Sequence, residues 1–139
     1  MANTQKLPCI GDVYFMCFDG SGNEQSGWRP GLVFQNNTGN VYSTNIIALP
    51  LTSSLKKTKQ PTHVVLPSAE TGLPRDSMVL CENPERMSKE KIGRYITTLP
   101  RTYMARIAVA NLLASSAIAY LSPDDLMSAW HQARSLNAT

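Results

Sequence analysis

Apolar positions fall in short runs through the first hundred residues and at helical spacing after that. Residues 12–18 are rich in strand formers and apolar on both alternate faces, which predicts a strand covered on both sides and stopped by Asp19 and Gly20. Residues 30–35 read as a second strand, with Pro30 at its first position, where a missing N–H is tolerated. The cluster at 36–40 is a turn signal. Residues 45–51 predict a third strand, ending at Thr52, Ser53 and Ser54, and 62–66 and 77–81 a fourth and fifth. A short helix or turn over 88–91 and a brief strand over 94–97 follow.

Pro100 starts a helix whose apolar positions are Tyr103, Met104, Ile107, Val109, Ala110, Leu112 and Leu113. From Ile107 onward they occupy nearly the whole circumference, so this helix needs cover on more than one side. A second helix offers it. Ser122 is a good N-cap, Pro123 fits the first helical position, and Asp124 and Asp125 complement the dipole. Leu126, Met127, Trp130, Ala133 and Leu136 form its apolar stripe, which either covers the first helix or docks another chain. Short strands followed by helices mean a small α+β domain or a barrel with a helical lid.

A chain of 139 residues is long enough for one domain with a hydrophobic core and short for two. Its 42% hydrophobic and 17% charged residues are ordinary for a soluble globular protein and argue against wholesale disorder. The net charge of +3 suits an acidic or nucleic-acid partner without requiring one. Three cysteines, Cys9, Cys17 and Cys81, form no C-x-x-C pair and leave an odd count, which fits a reducing cytoplasm better than a disulfide framework. No early run resembles a signal peptide, and the longest nearly apolar stretch, 107–121, is short for a membrane span. The expectation is a soluble cytoplasmic protein with no membrane partner.

Candidate chemistry concentrates in residues 22–30. Glu24, Gln25 and Arg29 lie there with Gly22 and Gly27, between two predicted strands. Glycine permits close backbone approach to a ligand, and arginine presents a planar charged fork suited to phosphate. The same composition also describes a plain hairpin loop. Lys56, Lys57 and Lys59 form either a solvated face or an electrostatic guide for a phosphate backbone.

Seven segments in register resemble the MazF/PemK-type toxins of bacterial toxin–antitoxin pairs. They are 11–15; 22–30 with Glu24, Gln25, Trp28, Arg29 and Pro30; 32–36; 48–53; 61–64; 75–80; and 104–106. The resemblance implies an SH3-like small barrel of about five to seven strands with a C-terminal helix. It divides the chain into an N-terminal stretch at 1–10, a ribonuclease domain at 11–115 and a C-terminal helical extension at 116–139.

The resemblance also implies an activity: sequence-selective cleavage of single-stranded RNA by the substrate's own 2′-hydroxyl, with no metal or cofactor. Such a site needs a base, an acid and positive charge for the pentacoordinate phosphate. Arg29 matches the family's catalytic arginine, Thr52 its hydroxyl partner, and Glu24 a loop carboxylate that is the first candidate for base. Glu82 keeps a second carboxylate. Gln25, Asn36 and Ser53 become RNA contacts, with Lys56 and Lys57 beside them and His63 more distant. Trp28 either stacks a base or anchors an antitoxin segment.

Three positions depart from the family pattern: Asn23 in place of a proton-carrying side chain, Leu80, and Glu85, which leaves Arg86 as the nearest replacement for an arginine helper. The implied partners are messenger RNA, a cognate antitoxin and a second copy of the chain. The rival reading is a binding module: a non-catalytic SH3-like interaction protein or a gyrase-poison-type toxin. Neither needs Arg29, Thr52 and Glu24 together.

Overall fold

A computed structural model describes residues 7–18 and 27–137. Along the chain these form β1 (Asp12–Phe18), β2 (Gly27–Val33), α1 (Asn37–Tyr42), β3 (Asn45–Thr52), β4 (His63–Leu66), α2 (Ser68–Thr71) and β5 (Ser77–Leu80). Then come β6 (Glu85–Ser88), β7 (Ile92–Thr98), α3 (Arg101–Ser115) and α4 (Pro123–Asn137). All pairings are antiparallel, in the order β4-β5-β3-β2-β1-β7, with β6 also on β3.

Period-two alternation gives β1, β2 and β3 two apolar faces, and each face has its own core. Tyr14, Met16, Phe18, Val33, Ile46 and Ala48 share one core with Met87 of β6 and Ile92 of β7. Strands at opposite ends of the β6-β3-β2-β1-β7 series therefore meet across one cluster, which requires the sheet to curl into a barrel-like shape. Among the described residues β6 and β7 do not pair, so the ladder stays open. The other face carries Val13, Leu32, Leu49 and Leu51, which pack with β4 and β5 residues and with Tyr103, Ile107 and Ala110 of α3. Ile107 is fully buried, a burial worth about 1.5–3 kcal/mol.

Five elements differ from the sequence expectation. Trp28 and Arg29 lie in a strand, because β2 starts at Gly27 and Cys17 and Met16 pair with them. The expected turn at 36–40 winds into α1: Asn36 caps it, its side-chain oxygen accepting the Gly39 N–H at 2.8 Å. Residues 85–88 form β6, a strand with one buried side chain, Met87, held by its ladder to β3. A 3₁₀ turn at Lys89–Lys91 occupies most of the predicted helix or turn, and β7 is longer than expected at both ends.

The fifth difference concerns α3. It buries Tyr103, Ile107 and Ala110, while Val109, Leu112 and Leu113 remain exposed. Helix α4 hydrogen-bonds to α1 instead of sealing that surface. Asn137 Oδ1 accepts the Asn37 N–H at 2.8 Å, and the Leu136 carbonyl accepts the Thr38 hydroxyl at 2.7 Å. Ser122 and Asp125 cap the start of α4 reciprocally, at 2.9 and 3.1 Å, yet no residue of the helix is buried.

Candidate active site

Gly27 opens β2 with a φ of 90°, a left-handed conformation that favours glycine. Trp28 and Arg29 then point to opposite faces. Arg29 pairs with Met16, whose side chain lies in the barrel-side core, and Trp28 with Cys17 on the other face. The β2–β3 ladder matches Gly31 with Pro50, Leu32 with Leu49 and Val33 with Ala48. Arg29 and Thr52 each lie two residues beyond the end of that ladder, where Thr52, the last residue of β3, pairs with Met78 of β5. Arg29 shares a face with Gly31, and Thr52 with Pro50, so the guanidinium and the hydroxyl project to the same side of the sheet. Thr52 Oγ1 accepts the Ser54 N–H at 3.1 Å, which leaves its proton free to donate.

Glu85, at the start of β6, lies within electrostatic reach of Arg29. Burial pushes its carboxyl above the ordinary range, and the guanidinium pulls against that shift without cancelling it. By sequence alone Glu85 marks only the loss of an arginine. A carboxylate at the first position of an otherwise solvated strand carried no pattern that pointed to Arg29. Arg86 is exposed: it pairs with Ile47 on β3 and lines a separate cavity with Glu85 and Lys91, away from the one that Thr52 lines.

Thr52 also opens onto a cavity of about 330 Å³, lined with it by Lys56, Lys57, His63, Glu82 and Asn83. His63 opens β4, and the β4–β5 ladder pairs it with Leu80, two residues before Glu82. Its Nε2 lies 2.9 Å from Glu82 Oε2, and its Nδ1 lies 3.1 Å from the Lys57 carbonyl oxygen. Both neighbours are acceptors, so only the doubly protonated ring donates to both. Burial alone pushes the Glu82 carboxyl up, but the His63 hydrogen bond and its own backbone N–H outweigh this and leave it below the usual carboxylate range. Lys57 holds a φ of 55°, uncommon for a residue with a side chain. The same Lys57 carbonyl accepts the Gln60 N–H at 3.1 Å, which fixes the lysine loop over the cavity.

The sequence-predicted residues thus divide. Arg29 and Thr52 lie on the adjacent strands β2 and β3; Lys56, Lys57 and Glu82 line the same cavity as Thr52; and His63 lines it too. Ser53 is exposed beside Thr52. Asn36 sits at the far end of β2, where its side-chain oxygen caps α1. Trp28 is 60% exposed. Glu24 and Gln25, with Asn23, fall outside the described residues. Among the described residues no three His, Cys, Asp or Glu side chains converge as metal ligands would, and no helix is long and apolar enough to cross a membrane.

The fold and this constellation define a curled antiparallel domain with a cationic site at its rim, and comparison with known proteins gives the class its name. Residues 10–113 match the family described as PemK-like, MazF-like toxin of type II toxin–antitoxin system, and the chain belongs to that family. It is 38% identical over 98 residues to Endoribonuclease EndoA of Bacillus subtilis (strain 168), covering 70% of this chain and 84% of that one. It is 35% identical over 98 residues to Endoribonuclease MazF of Staphylococcus epidermidis, covering 70% and 82%. In fold it resembles an endoribonuclease solved in complex with its cognate antitoxin from mycobacterial species. That likeness has a TM-score of 0.65 at 24% identity and covers 79% of this chain and 96% of the other.

Proposed function

We infer that this chain is the toxin of a type II toxin–antitoxin pair and that it cleaves single-stranded RNA. The observation that carries the reading is the placement of Arg29 and Thr52 on the adjacent strands β2 and β3, just beyond their ladder, with Thr52 lining a cavity rimmed by Lys56 and Lys57. In the reaction the 2′-oxygen bonds to the adjacent phosphorus and the P–O5′ bond breaks, leaving a 2′,3′-cyclic phosphate and a 5′-hydroxyl. Glu24 takes the proton from the 2′-hydroxyl. Arg29 stabilises the added charge on the phosphate, and the Thr52 hydroxyl donates to a phosphoryl oxygen. Glu85 holds its proton more tightly than an ordinary carboxyl and lies near Arg29, which suits it to protonate the leaving O5′.

Glu82 is engaged by His63, so this pair positions the cavity wall and the lysine loop. Lys56 and Lys57 guide the phosphate backbone, and Ser53 and Gln25 contact the RNA. Asn36 contributes only through its unused amide hydrogens. We assign the ribonuclease domain to 11–115 and treat 116–139 as an added helical arm anchored on α1.

A cognate antitoxin and a second copy of the chain are its protein partners. The exposed Val109, Leu112 and Leu113 on α3 supply apolar surface for such contacts. Three free thiols, at Cys9, Cys17 and Cys81, favour the cytoplasm. Incubation of the purified chain with long single-stranded RNA in EDTA, followed by sequencing of the cut ends, tests the reading. Discrete cuts ending in cyclic phosphate and 5′-hydroxyl are expected. Intact RNA across varied sequences would return the chain to the binding-module reading.

A further inference from the structure

The face of β1 and β2 opposite Arg29 changes character along its length. Val13 and Leu32, paired across the two strands, are buried in the core that α3 covers. Further along, Phe15 pairs with Pro30 and is half-buried, and Cys17 pairs with Trp28, which is 60% exposed. The indole is not loose. It reaches across β1 to β7, where a Cβ on Gly93 would lie 3.0 Å from Trp28 Cζ3 and 3.1 Å from the Phe15 carbonyl oxygen. A side chain at position 93 would press on both, so the glycine gives the ring its room. Beside it, the Arg94 guanidinium carbon stands 4.4 Å from the centroid of the Phe15 ring, a cation–π contact that fixes a second planar surface.

We propose that Trp28, with the Phe15–Arg94 stack beside it, is a stacking platform for an unpaired nucleobase of the RNA. The inference deepens the ribonuclease reading and rests on it. Three observations favour a nucleic-acid occupant. The indole is 60% exposed yet packed against Gly93, so stacking on it carries little ordering cost. Positive charge lies on the neighbouring strand: Arg94 within the platform and Lys91 just before β7. Along β1, β2 and β7 the single carboxylate is Asp12, buried at the far end of β1. Stacking tolerates every base, so the platform contributes affinity more than sequence choice.

The test uses the full chain carrying Trp130→Phe, which leaves Trp28 as the single tryptophan. Short 2′-O-methyl RNA homopolymers, which lack the attacking hydroxyl, serve as probes and are titrated against its fluorescence. Binding is expected to quench Trp28. Trp28→Ala is expected to weaken binding about tenfold, or ~1.4 kcal/mol, and Trp28→Phe to recover part of the loss. Gly93→Val keeps the indole but displaces it, and should weaken binding to a similar extent. Equal affinity in all variants without quenching overturns the platform. So does a Trp28→Ala chain that binds RNA normally yet no longer captures its antitoxin, since the surface is then a protein contact. Cleavage of unmodified RNA is read separately: its absence removes the ribonuclease reading, while quenching still decides the platform.

Discussion

His63 Nε2 stands 2.9 Å from Oε2 of Glu82, tying the first residue of β4 to the turn after β5. The side chains are 8% and 31% exposed, so the pair is shielded on one side and wet on the other. His63→Ala leaves the carboxylate without its hydrogen-bond partner, and we expect a loss of about 2 kcal/mol in urea unfolding. The lysine loop loosens as well, since Lys57 gives up its contact to the ring.

The pair also sets an acid limb. The folded Glu82 carboxyl lies below the unfolded value of about 4.3, so the unfolded state takes up the proton first as pH falls. The contribution of the pair is therefore complete above that pH and is lost as pH drops through the lower folded value. Glu82→Gln should flatten stability against pH in that window, measured as urea midpoints from about pH 5 downward. An unchanged slope would show that the carboxylate is not what His63 stabilises.

Glu85 should behave in the opposite sense. Its folded carboxyl lies above the unfolded one, so as pH rises past about 4.3 the unfolded state releases its proton first and stability declines until the folded group also ionises. Glu85→Gln removes that penalty and is expected to raise the urea midpoint near neutral pH. The same substitution removes the proposed proton donor, so kcat should fall on the order of a hundredfold with KM little changed. Stability up with activity down is the expected signature; both rising together would assign Glu85 a purely structural role.

Removal of residues 116–139 deletes the two hydrogen bonds from α4 to α1 but no buried side chain. We expect a stability loss of about 2 kcal/mol with RNA cleavage retained. A truncated chain that fails to fold would mean that the arm covers the core in the assembled protein.

Much of the fold was legible because strand alternation and terminators are local. The sequence placed the start of β1, β3 and β5 correctly and came within a residue for β4. Long-range pairing supplied what was missed. Trp28 and Arg29 look like loop residues between glycines, yet the ladder to β1 draws them into β2. The strand β6 has a single buried side chain, and its existence depends on β3. The asparagine-rich start of α1 reads as a turn until Asn36 caps it.

The candidate site divides in the same way. Arg29 and Thr52 were singled out from their motifs, whereas the junction of His63 with Glu82 depends on the β4–β5 ladder and leaves no local signature. The contact of Trp28 with Gly93 crosses an intervening strand and was equally hidden.

The central claim is that Arg29 of β2 and Thr52 of the adjacent β3 act on the same phosphate. The most direct measurement is kcat/KM for cleavage of one mapped RNA site by wild-type, Arg29→Ala, Thr52→Ala and the double variant. Each single substitution is expected to lower it by about a hundredfold or more, and the double variant should be little worse than the poorer single one, because the two side chains work as a unit. Losses that simply multiply would mean that they act independently. Either single variant with full activity would contradict the account outright.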